Sequence, residues 1–245
     1  MNTMLHRLAS GETHALAFAG QSTPWPAALA DQTTDPTLES ELRAHAAAAN
    51  AKLAPVGAQL LATTGRPVDL FGYTPDPVRL GAAADAVASV EGIALTQLGA
   101  LLDLEQLGYT LAAAEPVALL GHSQGVLGVH MADAVREAGS IEAAREQIDE
   151  ILATAALIGA AGTRAVRELA LHPRHGEATP MLSVKGATRA QVEALAARVD
   201  QARGPIAIAV TNAANHHVVS GYPDDLAAFA LEADGEHRRQ AVFCA

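Results

Sequence analysis

One serine stands in a pattern that is typical of nucleophilic catalysis. Ser123 lies in the pentapeptide GHSQG (121–125), directly after the apolar run EPVALLG and directly before the helical pattern QGVLGVHMADAVREAG. A G-x-S-x-G sequence between a strand and a helix predicts a nucleophile elbow, a strained turn that exposes the serine and needs glycines where side chains would clash. The helix that begins at Gln124 directs its amides and its positive dipole end at the same point, which favours an oxyanion there. Alternatively, the pentapeptide is a chance match and Ser123 only permits close packing.

An oxyanion hole also needs a second donor, which usually comes from another loop. The apolar run THALAFAG (13–20) predicts a buried strand that ends at Gly20 and presents Gln21 at its carboxyl end. The active sites of α/β proteins gather at that edge of the sheet. Gln21 is therefore a candidate donor, although taken alone it is more simply an ordinary loop glutamine.

The composition favours a soluble protein that does not bind nucleic acid. Of the 245 residues, 50% are hydrophobic and only 3% are aromatic, so the core must consist largely of Ala, Leu and Val. The net charge of −11 argues against nucleic acid, since phosphate binding needs clustered Lys and Arg. The lone Cys244 excludes an internal disulfide framework and fits a reducing compartment. No apolar run approaches the roughly 20 residues that span a bilayer, so we expect a cytoplasmic protein without a membrane segment. We also expect no metal site and no bound cofactor in this segment.

The pattern of predicted elements changes near residue 175. Before it we predict an α/β region in which two buried strands, at 13–20 and 115–121, alternate with helices, the longest over 86–112. After it the segments predict strand 179–186, helix 188–200, strand 205–212, strand 216–221, helix 223–235 and strand 240–245. This β-α-β-β-α-β order is the ferredoxin-like arrangement. We therefore predict an α/β domain with the nucleophile elbow at 1–175 and a ferredoxin-like subdomain at 176–245, attached to it or inserted into it.

Several motifs taken together resemble a known enzyme family. FAGQ near the N-terminus, followed by GHSQG, resembles the acyltransferases that load acyl groups onto acyl carrier protein, such as those of fatty acid and polyketide synthases. The segments MLSVKGATRAQVEAL and AVTNAANHHVVSG are similar to that family's inserted ferredoxin-like subdomain. GHSQGVLG with LIGAAGT downstream is most similar to the N-terminal acetyltransferase domain of a bacterial type I fatty acid synthase of the actinobacterial kind. The resemblance covers almost the whole chain and implies an α/β-hydrolase-like acyltransferase subdomain.

The resemblance implies a role for each matching residue. Ser123 would be the nucleophile that takes an acyl group from coenzyme A, and the backbone amides of Gln124 and Gln21 would form the oxyanion hole. His122, the variable residue of the elbow, and Asn212 would lie at the substrate cleft. The implied partners are acyl carrier protein, acyl-coenzyme A and the other domains of a multifunctional, homo-oligomeric fatty acid synthase.

The family's catalytic histidine has no counterpart in this chain. In the family it follows the inserted subdomain in a Phe-His-Ser or Phe-His-Thr segment, whereas this chain stops at RRQAVFCA. None of the other histidines stands in a motif that favours a base: His6, His14, His45, His130, His172, His175, His216, His217 and His237. We therefore expect the base beyond Ala245, with this chain as the leading piece of a longer polypeptide. Because an unassisted serine hydroxyl is a weak nucleophile, we expect the piece alone to transfer acyl groups poorly.

The acyl preference follows from one helix. Family members that take malonyl groups carry an arginine on the helix after the nucleophile, where its guanidinium grips the free carboxylate. By the resemblance that position falls in ATAALIGAAG, at Ile158, and residues 151–162 carry no charge. An unpaired malonyl carboxylate would be costly there, so we expect an acetyl donor, acetyl-coenzyme A.

Two other function classes stay open at the level of the sequence. A serine hydrolase or thioesterase shares G-x-S-x-G, but it needs an acid and then a histidine after the serine, and usually an H-G-G oxyanion loop before it. A non-catalytic scaffold domain of the synthase would keep the fold with a vestigial site.

Overall fold

The computed structural model describes residues 7–8, 12–20, 25–64, 86–168, 180–199, 204–235 and 240–243. They form two compact units: the first holds the described residues up to Arg164, and the second those from Ala165 onward. The predicted domain boundary at 175–176 lies outside the described residues and stays a prediction. No helix in the described part of the chain is long and apolar enough to cross a membrane.

The first unit combines two strands with helices of very different lengths. Its elements are β1 (Ala15–Phe18), α1 (Trp25–Gln32), α2 (Pro36–Leu53), α3 (Gly57–Thr64), α4 (Ala86–Gln106), α5 (Leu111–Ala114), β2 (Ala118–Gly121), α6 (Gly125–Ala138) and α7 (Arg145–Glu168). The core is aliphatic, as the composition predicts: α4 contributes Ile93, Leu95 and Leu98, which are at most 1% exposed. Among the described buried residues of this unit's hydrophobic core, only Trp25 and Tyr109 are aromatic, and the half-buried Phe18 packs against that core.

The prediction of one helix over 86–112 is wrong for its last six residues, because the helix ends at Gln106. Gly108 follows with a φ of 87°, a left-handed conformation that glycine adopts without steric cost. The amide of Tyr109 then bonds to the carbonyl of Leu104 at 2.9 Å, which closes the helix end. The turn redirects the chain into α5 and then into β2.

The two strands pair in parallel, with Ala15–Phe18 in register with Ala118–Gly121. One face of the pair packs against the core through Leu16, Phe18 and Leu119. The opposite face is open, with Leu120 54% exposed. The prediction that both strands are buried is therefore wrong, because the described helices cover only one face of the β1–β2 pair.

The second unit has the predicted β-α-β-β-α-β order. Its elements are β3 (Met181–Lys185), α8 (Arg189–Ala196), β4 (Ala207–Ala213), β5 (His216–Ser220), α9 (Pro223–Gly235) and β6 (Gln240–Phe243). The strands form an antiparallel sheet in the order β4-β5-β3-β6. A capping box starts α8. The Thr188 side chain accepts a hydrogen bond from the backbone amide of Gln191, and the Gln191 side chain accepts one from the backbone amide of Thr188. The α/β class and the ferredoxin-like arrangement are confirmed.

Among the described residues of the second unit, Phe229 of α9 is the largest fully buried side chain, with no exposed surface. Phe229→Ala should destabilise this unit by roughly 3–5 kcal/mol, since it removes buried apolar area and leaves a cavity. Urea denaturation followed by far-ultraviolet circular dichroism measures the effect. Leu231→Ala on the same helix is the control, because Leu231 is 77% exposed. Equal losses for the two variants would contradict this account of the core.

Candidate active site

Ser123 occupies a strained turn between β2 and α6. Its φ is 55°, and among the described residues only Glu115 shares a positive φ without being glycine. The turn is tight: the amide of Gly125 donates to the carbonyl of His122 at 2.9 Å, and that of Val126 to the carbonyl of Ser123 at 3.2 Å. Ser123 is exposed at the end of the strand. This is the strand-turn-helix geometry that the pentapeptide predicts.

The two glycines of the pentapeptide allow backbones to touch. A β-carbon on Gly121 would lie 2.4 Å from the carbonyl oxygen of Gly125, and one on Gly125 would lie 2.2 Å from the carbonyl oxygen of Phe18. Both distances are far below van der Waals contact with groups that cannot rotate away. The first turn of α6 therefore rests directly on the end of β1.

The end of β1 also reaches the serine itself. A β-carbon on Gly20 would lie 2.3 Å from the carbonyl oxygen of His122 and 3.1 Å from Cβ of Ser123. Gln21 follows Gly20 in the chain but lies outside the described residues, so its amide stays a prediction. Gln124 occupies the N-cap position of α6 beside the serine. Its backbone amide is suitably placed to donate to an oxyanion, and its role in the oxyanion hole stays a prediction.

A buried glutamine that the sequence reasoning missed anchors this region. Gln97 of α4 is 8% exposed, and its Nε2 donates to the carbonyl oxygen of Ala19 at 2.6 Å. A polar residue between the buried Leu95 and Leu98 is the sequence signal that could have drawn attention to it. A buried amide in an apolar helix face requires a partner.

A groove of about 440 Å³ runs between α6 and α7, and its walls include Leu127, His130, Ile151 and Thr154. Ile158 lies four residues beyond Thr154 and seven beyond Ile151, so it shares the helix face that lines the groove. Ile158 is 49% exposed. The groove also carries three carboxylates, Asp133, Glu137 and Glu150, so its lining is mixed in polarity, and the stretch of α7 from Ile151 toward Ile158 is uncharged.

The remaining predicted substrate residues lie in different places. His122 is exposed and directly precedes Ser123. Asn212 is exposed on β4 of the second unit. Their predicted roles at the substrate cleft stay predictions.

Polar contacts fix the start of α7 against α2. His45 Nδ1 lies 2.6 Å from Asp149 Oδ1, and both residues are buried. Arg145 bonds to Glu142 at 2.7 Å and to Glu41 at 2.8 Å. The hydrogen bond with Glu142, followed by that with Glu41, raises the pKa of Arg145, while the pKa of Glu142 is lowered by its bond to Arg145. These contacts hold the groove-lining helix at its N-terminal end.

Four of the described histidines have hydrogen-bond partners other than Ser123. His45 is paired with Asp149, and His14 lies 2.6 Å from the hydroxyl of Tyr109. In the second unit, His216 bonds to Ser183 and His217 to Thr211. Among the described residues, no hydrogen bond joins a histidine to the Ser123 side chain. His6, His172, His175 and His237 lie outside the described residues.

The fold is shared with acyl-carrier-protein acyltransferases of known structure. The malonyl CoA-acyl carrier protein transacylase of Coxiella burnetii is 15% identical, with a TM-score of 0.55 over 95% of this chain and 61% of its own. FabD of Acinetobacter baumannii is 17% identical, with a TM-score of 0.54 over 95% and 62%. A malonyl-transacylase, PlMCAT, solved in complex with the type II PKS acyl-carrier protein AntF, is 15% identical, with a TM-score of 0.52 over 94% and 62%. The chain thus spans about three-fifths of the length of these neighbours.

The sequence model of one family also matches. The family described as starter unit:ACP transacylase in aflatoxin biosynthesis matches residues 78–242, well over half of the chain. No curated protein sequence matches. The family match gives the class, that of the acyl-carrier-protein acyltransferases, and the shared fold agrees with it. The chain belongs to the starter unit:ACP transacylase family.

Proposed function

We propose that this chain forms the acyl-enzyme site of a synthase-type acyltransferase that moves an acetyl group from coenzyme A to acyl carrier protein. Ser123 carries the proposal, because it sits at a strained, exposed turn against which the end of β1 is packed. The family match over residues 78–242 supports acyl transfer involving acyl carrier protein. PlMCAT, the neighbour solved with its carrier protein, supports that partner.

The proposed reaction has two balanced steps. Ser123 Oγ attacks the thioester carbonyl of acetyl-coenzyme A and gives its proton to a base, for which we propose a histidine beyond Ala245. The amides of Gln124 and Gln21 stabilise the oxyanion, and the coenzyme A thiolate leaves with the proton as a free thiol. The thiol of acyl carrier protein then gives its proton to the base and attacks the carbonyl of acetyl-serine. An acetyl thioester forms on the carrier protein, and the proton returns to the Ser123 oxygen as the serine ester bond breaks.

The setting of this activity is also proposed. The motifs GHSQGVLG and LIGAAGT support the acetyltransferase domain of a cytoplasmic, homo-oligomeric type I fatty acid synthase of the actinobacterial kind. Acetyl-coenzyme A acts there as substrate, and the segment holds no cofactor of its own. His122 and Asn212 are proposed to contact the substrate.

Mass spectrometry of the full-length enzyme with acetyl-coenzyme A tests the proposal. We expect an acetyl group on the peptide that contains Ser123, and its transfer to added acyl carrier protein faster than to water. Faster transfer to water would favour a hydrolase or thioesterase instead. No adduct on Ser123 would favour the non-catalytic scaffold.

The preference for an acetyl over a malonyl donor provides a second test. Ile158→Arg should shift the loading of Ser123 from acetyl toward malonyl, because its guanidinium could pair with the malonyl carboxylate beside the uncharged stretch of α7. Because Ile158 is half-exposed, this pair should change the malonyl-to-acetyl ratio by about twofold to fivefold. The ratio is read from competitive loading of the full-length enzyme with both donors.

Leu157→Arg is the matched control for this shift. Leu157 is 44% exposed, close to Ile158 in exposure, but it points about 100° away around the helix. It should leave the ratio unchanged. Malonyl-serine as the dominant adduct of the unsubstituted enzyme would overturn the acetyl preference.

A further inference from the structure

We propose that Gln97 is a positioning residue for acyl transfer, which holds Ala19 and Gly20 at the end of β1 against Ser123. The inference rests on the proposed function, since it takes Ser123 as the nucleophile. Gln97 does not touch the reacting atoms in this account. It acts through the backbone of Ala19.

The hydrogen bond itself carries the first part of the argument. Gln97 Nε2 donates to the carbonyl oxygen of Ala19 at 2.6 Å, between residues 78 positions apart in the sequence. Because the peptide group is planar, fixing the Ala19 carbonyl also fixes the direction of the Gly20 amide. Gly20 in turn packs against the serine turn, since a β-carbon there would lie 2.3 Å from the carbonyl oxygen of His122 and 3.1 Å from Cβ of Ser123, so the position of this peptide group bears directly on the serine.

The surroundings of the amide show that it is locked in place. A β-carbon on Gly128 would lie 2.7 Å from Gln97 Oε1 and 2.4 Å from the ring of Phe18. The glutamine is thus confined between the first turns of α6 and the last residue of β1. The elements that it joins are the two that form the site: the strand that ends beside Ser123 and the helix that starts after it.

Stability alone does not account for a glutamine at this position. Gln97 Oε1 is buried without a hydrogen-bond partner among the described residues. An unpaired buried carbonyl lowers stability, and an apolar side chain of similar shape would avoid that loss. Residues that lower stability at a defined position are concentrated at functional sites. The bond to Ala19 is the feature that a methionine could not replace.

The chain offers a matched control for this contact. Gln32 of α1 donates from Nε2 to the carbonyl oxygen of Thr96 at 3.0 Å, and its Oε1 is also buried without a hydrogen-bond partner among the described residues. It packs against Gly99 of α4. Gln32 therefore makes the same kind of bond to α4, but it does not hold the end of β1.

Two measurements on Gln97→Met and Gln32→Met test the proposal. The first is the rate of Ser123 acetylation by acetyl-coenzyme A in the full-length enzyme. Gln97→Met should lower the maximal rate by about 10- to 100-fold, because a displacement of about 1 Å at the reacting group can cost roughly 100-fold, and it should leave the half-saturating donor concentration nearly unchanged. Gln32→Met should keep the maximal rate within about twofold, since it leaves the β1 end in place.

The second measurement does not depend on catalysis. Hydrogen exchange at the amide of Gly20 should be at least about tenfold faster in Gln97→Met than in Gln32→Met, because only the first variant frees the carbonyl of Ala19, which shares a peptide group with that amide. Equal exchange, or a maximal acetylation rate lowered equally in both variants, would overturn the positioning role. If Ser123 is not acetylated even in the unsubstituted enzyme, the proposed function fails, and the exchange result alone decides whether Gln97 orders the segment.

Discussion

Ser123→Gly should abolish the acyl-enzyme and at the same time make the first unit more stable. The hydroxyl is the proposed nucleophile, so its removal should eliminate the adduct completely. The backbone at this residue has a φ of 55°, a left-handed conformation that non-glycine residues adopt at a cost of roughly 1–2 kcal/mol. Glycine adopts it without that cost, so the free energy of unfolding should rise by about 1 kcal/mol.

Ser123→Ala separates the two effects. Alanine also lacks the hydroxyl but keeps the strained backbone, so we expect no adduct and an almost unchanged free energy of unfolding. Glu115→Gly is the reverse control, because Glu115 has a φ of 40° at the end of α5. It should gain stability while acetylation of Ser123 continues at the normal rate.

Mass spectrometry and chemical denaturation of the three variants measure these expectations. An acetyl adduct of undiminished yield in Ser123→Gly would show that another residue is the nucleophile. A loss of stability in Ser123→Gly would contradict the idea that strain is stored at the turn. Such strain is expected where a fold must hold a reactive side chain exposed.

Gly125→Ala should damage both the site and the fold, although it adds only one methyl group. The new β-carbon would lie 2.2 Å from the carbonyl oxygen of Phe18, so α6 and β1 must separate. Ser123 immediately precedes this helix, and it would move away from Gly20. A displacement of about 1 Å can cost roughly 100-fold in rate, so we expect at least that loss of acetylation. Overpacking of this kind costs about 1–3 kcal/mol of stability.

Gly57→Ala is the matched control for this substitution. Gly57 begins α3, and a β-carbon there would meet no atom within 4 Å. Alanine favours the helix over glycine by about 0.5–1 kcal/mol, so Gly57→Ala should keep full acetylation and be equally stable or more stable. Acetylation retained in Gly125→Ala would show that the site tolerates separation of α6 from β1.

Local patterns in the sequence were enough to predict the turn and the second unit. The strained conformation of Ser123 follows from GHSQG between an apolar strand and an amphipathic helix, because neighbouring residues determine how such a turn forms. The β-α-β-β-α-β order follows from the alternation of strand and helix periods after residue 179. Both depend on residues that are close in the chain.

The contacts that assemble the candidate site needed the tertiary structure. The approach of Gly20 to Ser123 and the bond from Gln97 to Ala19 join residues that are distant in the chain. A periodicity does not specify which distant backbone a glycine will touch. The open face of β1 and β2 likewise depends on which helices cover the pair, whereas an apolar run predicts only that a strand prefers to be covered. The sequence by itself therefore determined the turn and indicated Ser123 as the candidate nucleophile, whereas long-range packing decided what lies against it.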